Sequence, residues 1–126
     1  SPFCTQPYAG IGLVALAADT DEEAHRLAAP IKAWALGRGT GQFNPYLCVE
    51  EAEQALETAP LIPPERGIIG SANSVAQSLL DVSADTGASE VFLLTITDRL
   101  DTRIESYRLI EQAVAQLTAG LAAPPQ

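Results

Sequence analysis

Gly10-Ile11-Gly12-Leu13-Val14-Ala15-Leu16-Ala17-Ala18 runs straight into Asp19-Thr20-Asp21-Glu22-Glu23-Ala24. The first stretch is short, uncharged and apolar on both faces, the pattern of a strand covered on both sides of a sheet. The second opens a helix. Thr20 and Glu23 are spaced as a capping box, each able to satisfy a free backbone N–H of the other. Asp21, Glu22 and Glu23 stand where a helix dipole favours negative charge. The helix is expected to bury Ala24, Leu27, Ala28 and Ile31. Pro30 should end or kink it, because proline removes a hydrogen bond and crowds the preceding turn.

Outward from this junction, Ser1 to Tyr8 reads as an irregular lead-in with two prolines. Trp34 to Leu36 extends a second helical piece to Gly37, and Gly37 to Tyr46 reads as loop. Val49 to Thr58 predicts a helix with Val49, Ala52, Ala55 and Leu56 inward and Glu50, Glu51, Glu53 and Glu57 outward; Pro60, Pro63 and Pro64 follow. Gly67 to Gly70 leads to Ser71 as an N-cap, and Val75, Ala76, Leu79, Leu80 and Val82 stripe a helix closed by Gly87. Glu90 to Thr95 predicts a second buried strand. A last helix, Arg99 to Thr118, carries Leu100, Ile104, Tyr107, Ile110, Val114 and Leu117 at helical spacing. Two covered strands joined by helices must be parallel. Such a pair is not stable alone, so the elements read as part of a larger sheet.

The whole chain has 126 residues, with 7 Lys plus Arg against 16 Asp plus Glu, a formal charge of −9. Length sets an expectation of one domain, too short for a complete (β/α)₈ barrel of roughly 250 residues. The acidic balance argues against nucleic acid and anionic membrane partners, which call for Lys and Arg. The apolar run Ala9–Ala18 is about half the ~20 residues that a spanning helix needs. The expected compartment is the cytoplasm. Cys4 and Cys48 read as ordinary thiols, with a single disulfide as the alternative. The sequence contains no Met, even at position 1, which implies that something upstream was removed.

Few residues announce chemistry. Gly10-Ile11-Gly12-Leu13-Val14-Ala15 matches a dinucleotide fingerprint in letters, but that motif needs a strand ahead of its glycines. His25, the sole histidine, sits on the charged side of a helix, and no His/Cys set stands at metal-ligand spacing. The free N–H groups at Gly70-Ser71 could hold a phosphate or simply be capped. Asp19 and Asp98, at the strand ends, could be site residues or plain capping residues.

The chain resembles the C-terminal part of the bacterial-luciferase-like flavin-dependent monooxygenases and oxidoreductases. The likeness rests on Ser1…Pro7-Tyr8, Ala17-Ala18-Asp19-Thr20-Asp21-Glu22-Glu23-Ala24, Ile69-Gly70-Ser71…Val75, Thr86-Gly87-Ala88 and Arg103-Ile104…Ser106-Tyr107. After Gly70-Ser71 the chain departs from the family pattern, with Ala72 and Asn73-Ser74 in place of the usual Pro and Glu. The resemblance implies an α/β fold: the C-terminal segment of a (β/α)₈ barrel, its last two parallel strands with their helices. It implies a single partial domain over residues 1–126, with 30–64 as an insertion region. It further implies reduced flavin (FMN) or a deazaflavin as cofactor and a small-molecule substrate. Thr95 and Thr97 would be pocket contacts, and Ser71 would hold phosphate. The earlier strands would supply most of the flavin site, so the chain would be incomplete for catalysis alone. Its partner would be a missing N-terminal barrel polypeptide or a second copy. The alternative is a degenerate barrel fragment acting as a non-catalytic binding or assembly module.

Overall fold

The computed structural model describes residues 10–39, 41, 45–59 and 67–122. Three strands and five helices follow one another: β1 (Gly10–Ala18), α1 (Asp21–Leu27), α2 (Ala29–Gly39), α3 (Val49–Glu57), β2 (Ile68–Ser71), α4 (Ala72–Thr86), β3 (Glu90–Leu94) and α5 (Leu100–Ala122). The sheet is parallel, with order β2-β1-β3. The amino-terminal half of β1 pairs with β3, from Gly10 opposite Glu90 to Val14 opposite Leu94. Its carboxyl-terminal half pairs with β2, from Ala15 opposite Ile68 to Ala18 opposite Ser71.

This topology corrects the barrel expectation. Among the described residues the strands number three, because Ile68–Ser71 is a strand and not merely the approach to a helix. The first strand in the chain lies between the other two. A barrel wall of successive β/α units would keep its strands in chain order. The described residues form a small open-sheet α/β unit, not a two-strand barrel segment.

The helices follow their local signals. Glu23 N donates to Thr20 Oγ1 at 3.1 Å, so Thr20 caps α1. Ala28 closes α1, its N–H donating to Ala24, and opens α2 by accepting from Lys32 N. Pro30 falls in the first turn of α2, where its missing N–H costs no intrahelical bond. The proline thus splits the helical stretch in two, as its chemistry requires. Gly87 closes α4 in the left-handed region at φ 66°, which glycine adopts without strain.

One face of the sheet is packed by α4 and α5. Ala15 and Ala17 of β1 meet Val75 and Leu79 of α4 and Ile110 of α5, with Leu13, Val91 and Leu93 alongside. Strand register places Gly12, Val14, Phe92 and Leu94 on the opposite face. There Phe92 is 61% and Leu94 51% exposed, so β3 is a half-open edge strand and not the fully covered one expected. In α5 the expected stripe holds at Ile110, with Tyr107, Val114 and Leu117 half-buried, but not in the first turns. Leu100 (69% exposed) and Ile104 (58%) face outward, while Ser106, Ile110 and Ala113 are buried. The lead-in Ser1–Tyr8 and the three prolines at 60, 63 and 64 lie outside the described residues.

Candidate functional site

The loops after β1 and β3 open onto a cavity of about 690 Å³. Ala17, Ala18 and Asp19 from the end of β1 form one wall, and Asp98, Arg99 and Asp101 after β3 form the facing wall. Glu23, Arg26 and Leu27 of α1, Val49 and Glu50 of α3, and Glu105 and Leu109 of α5 complete it. This is where ligands bind in open α/β sheets, outside the carboxyl ends of the strands at a switch in strand order. Its volume lies within the range of small-molecule sites.

The lining carries six carboxylates and two guanidiniums. Both guanidiniums are engaged. Arg26 donates to both oxygens of Glu23 at 3.0 Å and lies 3.7 Å from Glu53. Arg99 donates to both oxygens of Asp101, at 3.0 and 2.9 Å. These hydrogen bonds hold the Glu23 and Asp101 carboxyls below their usual range. Such paired arginines offer little to an incoming anion.

Asp98 reaches across the cavity. Its Oδ2 accepts from Val49 N at 3.1 Å, at the start of α3, whose own N-cap Cys48 makes no side-chain capping bond. Its Oδ1 is buried and has no hydrogen-bond partner among the described residues. Tyr46 lies against this corner, its hydroxyl donating to the Ile96 carbonyl at 3.3 Å. Burial, aided by the Asp98 charge, pushes the Tyr46 phenol up to about 12. For Tyr107, burial acts upward, but hydrogen bonds to Arg103 and Thr95 outweigh it and leave the phenol below its ordinary range. Phenolate absorbance should therefore resolve Tyr107 titrating before Tyr46. A folded-state pKa above the unfolded one means stability present below about pH 10 and lost as pH rises towards 12. If the two phenols titrate together at the ordinary value, this account of the corner is wrong.

The three residues expected to contact flavin have other occupations. Thr95 is 2% exposed, and its hydroxyl donates to the Ala15 carbonyl at 2.7 Å. The Thr97 hydroxyl donates to the Arg99 carbonyl at 2.6 Å. The amide of Ser71 donates to Asp21 Oδ1 at 2.6 Å, and the Ser71 hydroxyl to Ser74 Oγ at 3.0 Å. None of the three lines the cavity. The Ser71 amide, expected at a phosphate, is thus taken by Asp21, and the hydroxyl protons of Thr95 and Thr97, expected as flavin or substrate contacts, are taken by backbone carbonyls. Sequence reasoning named Asp19 and Asp98 as strand-end residues, and both do line the cavity. It missed Arg26, Glu50, Arg99 and Asp101, because nothing in a solvated charge pattern shows which charges converge.

Gly10 and Gly12 sit inside β1, not in a strand-to-helix turn. A Cβ at Gly10 would lie 2.8 Å from the Phe92 ring, so the glycine serves a close packing contact. Cys48 is a free thiol, pushed up by its hydrogen bond to the Glu51 carboxylate. No group of His, Cys, Asp and Glu among the described residues could hold a metal ion.

No family model matches the chain. A Bacillus subtilis (strain 168) protein, the uncharacterized YceB, is 31% identical over 117 residues, covering 89% of this chain and 35% of YceB. The crystal structure of apo-MsnO8 superposes with a TM-score of 0.81 at 22% identity, covering 87% of this chain and 35% of MsnO8. That likeness establishes the fold over most of the chain. The chain spans about a third of the length of each of these proteins. No helix among the described residues is long and apolar enough to cross a membrane.

Proposed function

We propose that the chain is the C-terminal part of a flavin-dependent, luciferase-like monooxygenase or oxidoreductase, incomplete for catalysis alone and acting in the cytoplasm on a small molecule. The observation that carries this reading is the cavity at the carboxyl ends of β1 and β3. In sheets of order 2-1-3 that junction is a ligand position, occupied by flavin mononucleotide in the flavodoxin type. This is an argument from position, and the residues of the cavity qualify it. Six carboxylates outnumber two arginines already paired to two of them, and the net negative lining repels a phosphate, so the contacts to the phosphate of FMN or a deazaflavin belong to a companion polypeptide. The part of the cofactor that could meet this chain is its uncharged ring system.

A second reading is favoured by the open half of the sheet. Phe92 and Leu94 are exposed side by side on an edge strand, an arrangement that invites association. On this reading the chain is a non-catalytic assembly module that pairs with a second copy.

Native mass spectrometry, with denatured masses alongside, separates the two. A larger polypeptide held with this one, together with a flavin mass, is the result expected of the enzyme reading. A flavin-free homodimer removes that reading and leaves the assembly module. A flavin-free monomer removes both.

A further inference from the structure

We infer that Asp21 is the resident anion of the α4 N-terminus and that it closes this helix end to phosphate. The start of α4 looks like an anion site in the sequence: a glycine, a serine and then a helix of 15 residues. Ser71, at the N-cap, makes no side-chain capping bond of its own. A carboxylate 50 positions away stands there instead: Asp21 Oδ1 accepts the N-cap residue's own amide, Ser71 N, at 2.6 Å. That distance is short for an N–H donor and marks a charge-assisted bond.

The backbone is shaped around the same oxygen. A Cβ on Gly70 would lie 2.8 Å from Asp21 Oδ1. Glycine at 70 therefore leaves room for the carboxylate and not for an exogenous group, since the carboxylate already fills the space. The placement of Asp21 is equally determined. It is the first residue of α1, fixed by the Thr20 cap, and α1 packs against β2 directly before α4 begins. The acidic first turn of α1 thus serves a second helix as well as its own. The consequence for ligand choice is specific: a nucleotide or sugar phosphate has no seat at Gly70-Ser71, whatever occupies the cavity at the strand ends. The inference does not rest on the flavin reading, because inorganic phosphate reads it out.

The test compares the native chain with Asp21→Ala and Gly70→Ala in amide NMR and thermal unfolding, titrating inorganic phosphate against chloride at equal ionic strength. In the native chain the Ser71 amide should be far downfield and insensitive to phosphate. In Asp21→Ala it should move upfield and the melting temperature should fall. Phosphate should then shift that amide and restore about half of the lost melting temperature, where chloride does not. Gly70→Ala displaces the carboxylate without removing its charge and should move the Ser71 amide upfield even if Asp21→Ala does not fold. A native Ser71 amide that follows phosphate would overturn the inference. So would an Asp21→Ala or Gly70→Ala variant whose Ser71 amide stays in place, or a folded Asp21→Ala that phosphate leaves unchanged.

Discussion

Gly67→Ala should unfold at a markedly lower denaturant concentration than the native chain. Gly67 has φ 107°, a region that L-residues rarely enter, and it stands directly before β2. An added Cβ would lie 2.7 Å from the Val14 carbonyl oxygen and 3.1 Å from Val14 Cβ. The strained conformation costs about 1–3 kcal/mol. Forcing a methyl into occupied space costs about 1–3 kcal/mol more. Relief by movement would draw Ile68 away from Ala15, the first register pair between β2 and β1. A four-residue strand has few pairs to lose. Gly12→Ala is the control: a Cβ there meets nothing within 4 Å, and its φ is not positive. Urea unfolding of both variants checks the prediction. Equal midpoints for Gly67→Ala and the native chain would show that β2 does not need this entry.

The same short strand marks the limit of what the sequence discloses. Ile68-Ile69-Gly70-Ser71 is too brief to show a period of two, and its apolar residues read equally well as an approach to α4. What makes it a strand is its pairing with Ala15–Ala18, a partner some fifty residues earlier. Strand order is hidden for the same reason. Apolar runs declare that they are buried, but not which of them is central. By contrast, β1, α3 and α4 were legible because their signals are local: a run bounded by caps, a stripe at helical spacing, a glycine where the helix must turn left-handed.

The site was half legible. Asp19 and Asp98 could be placed at strand ends from the pattern alone. Their employment could not, because it is decided by distant elements. Asp98 accepts the amide of Val49, the first residue of α3, 49 positions away, and Asp21 accepts that of Ser71, directly before α4, 50 positions away. In both cases the N-cap residue of the helix, Cys48 or Ser71, provides no side-chain bond. A reader of the sequence looks for a cap beside the helix and finds a cysteine or a serine. The acidic excess thus has a structural use, since carboxylates from one element neutralise the exposed N–H groups of another.

The stripe read for α5 holds from Tyr107 onward but fails in its first turns, where the buried position is the polar Ser106, and this yields the second large effect. Beyond Val14, β1 has no β3 neighbour, since β3 stops at Leu94. Ala15 and Ala17 both turn backbone groups towards that edge, and side chains finish the ladder. Thr95 Oγ1 donates to the Ala15 carbonyl at 2.7 Å, and the Ala17 amide donates to Ser106 Oγ at 2.9 Å. Ser106 is fully buried on the face of α5 that packs on the sheet, beside Ile110 and Ala113, while Leu100 and Ile104 are exposed. Ser106→Ala leaves the Ala17 N–H without a partner away from water, a loss of about 1–3 kcal/mol. Thr95→Val conserves shape and strands only a carbonyl, which proteins tolerate somewhat better than an orphaned amide. Its cost should be the smaller of the two. Urea unfolding gives the order, and hydrogen exchange at the Ala17 amide locates the cause, because exchange there should quicken in Ser106→Ala more than in Thr95→Val. If Ser106→Ala keeps the native midpoint and a slow Ala17 amide, the edge of β1 is closed by something other than this helix.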